Sequence, residues 1–379
     1  MLIGIDGNEA NVLQRVGANV YAYNILCELH KINSKGDEYR IYLKNKPLDD
    51  MPEESKFWQY RVFGPGKLWT QWRLPLELYW QKEKPDIFFT PGHYAPRFCP
   101  VPSIISIMDL AFLKFPQDFR QEDLRQLTAW TEYSIKKAAH ILTISEATKK
   151  DIIELYKIPS EKITVTYPGY DKDKFKTQSA KVKATTQSLR VKYKISENYL
   201  LYIGTLQPRK NLVRLVEAFS KIIIQNQQLE LVIVGKKGWL YEEIFETVED
   251  LNLEDKVIFT GFVLDDELAG LLSGAQALIL PSLYEGFGIP VVEAMACGVP
   301  VVVSRTSSLP EIADKAGIYI EDPFSVESIY QALAKVLKLT KTERELLISS
   351  GQKQVKKFSW KACASQSRKI LEKVRSQSV

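Results

Sequence analysis

The chain has 379 residues, 45% apolar and 26% charged, an ordinary balance for a globular protein that excludes disordered and fibrous classes. That length exceeds one usual hydrophobic core, so two domains are expected. The net charge of +5, from 51 basic and 46 acidic residues, is too slight to argue for a nucleic-acid partner, although it permits an anionic membrane surface.

Short apolar runs alternate with helical patterns along the whole chain, the signature of strand-helix-strand units and parallel sheets. In the first half, strands are expected at Leu2–Ile5, Arg40–Leu43, Tyr60–Phe63, Asp86–Phe89, Ser103–Ile107, Ile141–Ile144 and Ile163–Thr166. No basic segment or small-residue cleavage site stands ahead of the first strand, and nowhere do about eighteen apolar residues run together. A cytoplasmic location follows as the expectation, with peripheral contact at the inner face of a membrane allowed. Arg15-Val-Gly-Ala-Asn19 leads from the first strand into a helix holding Val20, Tyr23, Asn24 and Cys27, with Gly17 at the turn. The segment from Lys67 to Trp80 is rich in aromatic and basic residues, a composition that suits a lipid surface or a packed helix. Pro75 interrupts its pattern, and packing is the expectation.

From Asp171 to about Ser196 the chain turns polar, rich in Lys, Thr, Ser and Gln, and this reads as the joint. The expected division is a first domain 1–175, a linker 176–195, a second domain 196–357 and a final helix 358–379. Strands of the second domain are expected at Tyr199–Ile203, Leu229–Val234, Val257–Phe259, Ala277–Leu280, Pro300–Val303 and Gly317–Ile320. Between the first two, Leu212, Leu215, Val216, Phe219 and Ile223 fall on one helical face, with Asn211 available as N-cap. In open sheets of this kind ligands bind beyond the carboxyl ends of the strands, so a cleft between the halves is expected. Asp265-Asp266 precedes Leu268, Leu271 and Leu272 and reads as a helix cap. Four scattered cysteines (Cys27, Cys99, Cys297, Cys363) read as reduced packing residues, and three distant histidines (His30, His93, His140) argue against a metal site.

The most informative stretch is Pro281-Ser-Leu-Tyr-Glu-Gly-Phe-Gly-Ile-Pro-Val-Val-Glu293, followed by a short helix and a second apolar run, Val299 to Val303. Gly286 and Gly288 let the backbone approach a ligand, and a helix starting near Ile289 points N–H groups at it, which suits a phosphorylated compound. Glu285 lies in the loop, whereas Glu293 lies a little over one turn into the helix. Two acceptors at that separation can hold hydroxyls on two sugar rings.

These residues resemble the retaining glycosyltransferases of family 4, whose Glu-x7-Glu motif has this setting. The resemblance extends from Gly4-Ile-Asp6 through Leu142-Thr-Ile-Ser145 and Gly204-Thr-Leu-Gln-Pro-Arg-Lys-Asn211 to Phe358-Ser-Trp360. It implies the GT-B fold, with two Rossmann-like, doubly wound parallel-sheet domains. It also implies transfer of a sugar from a GDP- or UDP-linked donor, with retention and without cofactor or metal. Lys210 matches a lysine that contacts donor phosphates, with Arg209 its companion, while Thr205 stands where many members have a further arginine. Glu285 then meets the sugar hydroxyls. The amides of Gly286, Phe287 and Gly288 meet the sugar and phosphates, with Ile289 opening the helix. Glu293 meets the ribose, and Phe262 and Val263 stand where the base would lie.

In the first half, Gly17 matches one glycine of a loop near acceptor and diphosphate, where several members have more. Ile107-Met-Asp-Leu110 is similar to the family's His-Asp element with Met108 in the histidine's place, so Asp109 and His93 are the candidates for hydrogen bonds there. The implied acceptor is a glycan or a lipid-linked sugar, and the donor sugar is of mannose or glucose type. Competing readings are an epimerase or phosphorylase on the same scaffold, and a noncatalytic nucleotide-sugar-binding subunit, motivated by Met108.

Overall fold

All thirteen expected strands form; most are apolar throughout, as parallel strands buried on both faces must be, while the edge strand Trp58–Val62 exposes Gln59, Arg61 and Val62. In the computed structural model they are β1 Leu2–Asp6, β2 Glu38–Leu43, β3 Trp58–Val62, β4 Ile87–Thr90, β5 Ser103–Ile107, β6 His140–Thr143 and β7 Ile163–Val165, then β8 Tyr199–Ile203, β9 Glu230–Val234, β10 Val257–Gly261, β11 Ala277–Leu280, β12 Val301–Ser304 and β13 Gly317–Ile320. The structure describes residues 1–379 except 34, 35, 65, 67, 176–179, 378 and 379, and leaves aside the side chains of 180–184 and 265–266. Lys67, the first four residues of the expected linker and the carboxylates of Asp265 and Asp266 therefore lie outside the described residues.

The strands form two sheets, ordered β3-β2-β1-β4-β5-β6-β7 and β10-β9-β8-β11-β12-β13, with every described pairing between them parallel. Each order is that of a doubly wound Rossmann sheet, in which direction reverses between the first and fourth strands. These switch points lie at β1/β4 and at β8/β11.

The chain divides into two compact units: 1–114, 120–169 and 359–379 in unit 1, and 115–119 with 170–358 in unit 2. This differs from the expected division in three places. Phe115–Phe119 belongs to unit 2, where Phe119 packs on Trp239 (ring centroids 5.7 Å), whose indole N–H donates to the Asp118 carbonyl. The exchange falls at Gly169–Tyr170. Finally, the polar stretch read as a linker carries the helix Ala180–Tyr193, held within unit 2 by buried Leu189 and by Thr186 Oγ1, which donates to the Gly270 carbonyl at 2.9 Å.

In unit 1 the final helix, Trp360–Gln377, buries Trp360, Cys363, Ala364, Ser367, Arg368, Leu371 and Val374 at regular three- and four-residue spacing. Arg368 pairs with Asp37, and Trp360 meets Tyr21 edge-on at 6.1 Å. In unit 2 the helix Leu212–Ile223 buries the expected face, with Ile222 rather than Ile223 at its end. Asn211 makes no side-chain cap. Its amide donates instead to the carbonyls of Pro281 (3.0 Å) and Pro323 (2.7 Å), tying two distant loops to the helix start.

Candidate active site

The switch point of unit 2 gathers the loop after β8 and the loop after β11. After β8 the chain makes a short turn, Pro208–Lys210, that presents Arg209 and Lys210. Gly235, at the end of the neighbouring β9, sits so close to this loop that a Cβ there would collide with the Gly204 carbonyl oxygen. The Leu283 amide donates to the Arg209 carbonyl at 2.9 Å, binding the two loops together.

Glu285 occupies the centre. Lys210 Nζ lies 2.6 Å from Glu285 Oε1 and Arg209 Nη1 lies 3.8 Å from Oε2, while Arg209 also donates to the Tyr284 carbonyl. Ser282 Oγ donates to Oε1 at 2.6 Å. Burial pushes the Glu285 pKa up, but Lys210 and Arg209 together outweigh it and leave the carboxyl below its ordinary value, so it is ionised at neutral pH. Arg209 Nε is buried without a hydrogen-bond partner, a donor still to be satisfied.

Three serines went unnoticed in the sequence. Besides Ser282, Ser307 Oγ accepts the Glu285 amide at 2.8 Å, and Ser308 Oγ donates to the carbonyls of Glu285 and Phe287 at 2.9 and 3.0 Å. Ser307 and Ser308 follow β12, so their place beyond a strand's carboxyl end was the one available signal.

Gly288 has φ 102°, open to glycine but strained for other residues, and it precedes the helix Ile289–Ala296. That helix offers a ligand fewer amides than expected: Pro290 has none, and the Val291 N–H donates to the Gly288 carbonyl. Phe287 is buried, edge-on against Phe358 at 5.3 Å. Glu293 sits half-buried one turn inside the helix. Thr205, beyond β8, and Phe262 and Val263, beyond β10, share this sheet edge; Phe262 is exposed and Val263 buried.

The switch point of unit 1 is built differently. A cavity of about 210 Å³ lies there, lined by Asp6, Glu9, Lys44, His93, Tyr94 and Trp130 among others. Asp6 ends β1, and burial raises its pKa to about 6 although the Asn8 amide and side chain both donate to it. His93 Nε2 accepts the Met108 amide at 3.1 Å, which puts the ring proton on Nδ1; burial lowers its pKa against the pull of Asp109. The Met108 side chain is buried, and Asp109 Oδ1 accepts the Ala111 amide at 3.0 Å. Gly17, at φ 53°, opens the helix Ala18–Lys31.

Among the described residues, no group of three or more His, Cys, Asp or Glu is placed to hold a metal ion, and no helix is long and apolar enough to cross a membrane.

Comparison with known proteins matches residues 186–354 to the family described as Glycosyl transferases group 1, and residues 16–174 to Glycosyltransferase Family 4. O-antigen chain mannosyltransferase B of Escherichia coli is 31% identical over 75% of this chain and 73% of its own length. O-antigen chain mannosyltransferase RfbU of Salmonella typhimurium is 30% identical over 62% of this chain and 61% of its own. Among solved structures, that of Anabaena Alr3699/HepE in complex with UDP and glucose superposes with a TM-score of 0.75 at 19% identity, covering 98% of this chain and 99% of that one. Motif, topology and relatives agree, and the chain belongs to glycosyltransferase family 4, with the GT-B fold.

Proposed function

We propose that the protein transfers a mannose-type sugar from a nucleotide-sugar to a growing glycan or lipid-linked acceptor, with retention and without a metal ion. The observation that carries this reading is the buried Glu285 held ionised between Lys210 and Arg209 at the unit 2 switch point. A carboxylate kept charged by two cations is an acceptor poised for sugar hydroxyls. The cations then have a second task, to neutralise the diphosphate as the glycosidic bond breaks.

Glu293 takes the ribose hydroxyls, and Phe262 flanks the base. The acceptor hydroxyl attacks the anomeric carbon from the face the diphosphate is leaving, and the departing phosphate oxygen takes its proton. The cationic side chains face the phosphates in this reading and take the place a divalent ion would have. Mannose is favoured over glucose by the two O-antigen mannosyltransferases among the relatives.

A transfer assay with GDP-mannose, UDP-glucose and an oligosaccharide panel, run in excess chelator, tests the reading. Mannosylated product whose new linkage has the donor's anomeric configuration is expected. Inverted product, or activity that chelator removes and Mg²⁺ restores, contradicts it.

A further inference from the structure

The segment Trp69–Trp80 of unit 1 begins as a wide π-type turn, Trp69–Arg73, and continues as the helix Leu74–Trp80, with Pro75 tolerated near the α-helical start. Its inner face is fully used: Trp69, Leu74 and Leu78 pack with Tyr42 and Phe88, and Trp69 Nε1 donates to the Phe63 carbonyl at 3.0 Å. The expectation of packing accounts for those residues and no others.

The outer face inverts the usual pattern. Every exposed residue of the segment is apolar or aromatic: Trp72 (63% exposed), Leu76 (39%), Tyr79 (48%) and Trp80 (77%). At about 100° per residue they fall within one arc of roughly 100°. Arg73 and Glu77 are half-buried and paired with each other at 3.2 Å, so the face itself is uncharged. Phe98 adds a further exposed ring; the preceding residue, Arg97, donates to Gln71 at 2.7 Å, which anchors that loop to the segment.

Charge surrounds the stripe. Arg61 lies before it and Lys82 and Lys84 follow it, all exposed, and Lys84 reaches over the Tyr79 ring at 5.5 Å; the exposed acids among them, Glu83 and Asp86, are paired with Arg40 at 3.2 Å and Arg375 at 3.8 Å. Of the chain's net +5, unit 1 carries +6 and unit 2 carries −1. Tryptophan and tyrosine rings with flanking lysines are the composition of a surface that enters the headgroup layer of a bilayer. A second copy would bring the same positive unit against itself, which opposes pairing through this face.

We propose that this outer face docks on an anionic lipid bilayer, with Trp72, Leu76, Tyr79 and Trp80 entering the interface and Arg61, Lys82 and Lys84 contacting lipid headgroups. The test is co-sedimentation of the full chain with vesicles of phosphatidylcholine alone or mixed with phosphatidylglycerol. No sugar donor is present, so failure here leaves the transferase reading standing.

Wild type should pellet with the anionic vesicles, far less with the neutral ones, and less again as salt rises. Lys82→Glu should weaken binding at least about fivefold, the worth of one lysine near such a surface. Trp72→Ser with Trp80→Ser should reduce it about tenfold or more while the melting temperature stays unchanged; Trp80→Ser alone, at the most exposed position, should move the same way. Equal pelleting of wild type and both tryptophan variants overturns the proposal. So does self-association of wild type that the same substitutions abolish without any vesicle binding.

Discussion

Two buried carboxylates stand at the switch points of the two units, Glu285 after β11 in unit 2 and Asp6 at the end of β1 in unit 1, and they are treated in opposite ways. Glu285 has Lys210 and Arg209 on its two oxygens and stays below the ordinary glutamate value despite burial. Asp6 has the donors of Asn8, a neighbouring Glu9 that opposes its charge and only a modest pull from Lys44, and burial lifts it to about 6. The same topology therefore supplies a permanently charged acceptor in one unit and a carboxyl near its titration point in the other. What decides the difference is how strongly the neighbouring cations act: Lys210, in the turn after β8, lies 2.6 Å from Glu285, whereas Lys44, after β2, is the smallest of the influences on Asp6.

Three substitutions break or sharpen this contrast. The largest effect belongs to Lys210→Ala, which should cost roughly 2–4 kcal/mol of transition-state stabilisation, about 30- to 1,000-fold in turnover at saturating donor. Retention of a third of wild-type turnover would remove Lys210 from the chemistry.

Asp6→Asn comes next. Because the native state holds the Asp6 proton more tightly than the unfolded chain, the aspartate lowers stability as pH climbs from about 4 through about 6, by about 3 kcal/mol at pH 7. The amide lacks that penalty. Melting curves should show Asp6→Asn gaining on wild type between pH 4 and pH 8; a difference independent of pH means that Asp6 does not titrate as its burial requires.

Met108→His should have the smallest effect, within about threefold in turnover, because the thioether is buried and cannot donate a hydrogen bond, and His93 already holds a neutral imidazole beside it. Transfer rates across an acceptor panel measure this. A dead wild type rescued by the histidine would convert the protein into a binding subunit.

Much of this was legible in the sequence. Strands such as β11 and β12 read directly, since burial on both faces leaves no polar alternation to mislead. Ends were less certain. Glu38 belongs to β2 because its amide pairs with the Met1 carbonyl, although its exposed side chain looks like loop. The Glu285–Glu293 spacing and the Arg209-Lys210 turn were readable because each lies in or beside a glycine- and proline-marked loop that leaves an apolar strand.

Long-range contacts were not readable. Asn211 looks like a cap from its neighbours, yet its partners lie 70 and 112 residues away. Ser282, Ser307 and Ser308 carry no spacing that distinguishes them from other loop hydroxyls. The helix Ala180–Tyr193 is polar enough to pass for a linker, because packing rests on a few positions such as Leu189.

The central claim is that Glu285 competes with phosphate for Lys210 and Arg209, and one calorimetric titration tests it. GDP and UDP are titrated into wild type, Lys210→Ala and Glu285→Gln, and turnover is measured on the same samples. Lys210→Ala should weaken diphosphate binding about tenfold or more, the loss of one charged hydrogen bond. Glu285→Gln, with the competing charge removed, should bind the diphosphate as tightly as wild type or tighter while turning over at least about tenfold more slowly. Parallel loss of affinity in both variants would contradict the account.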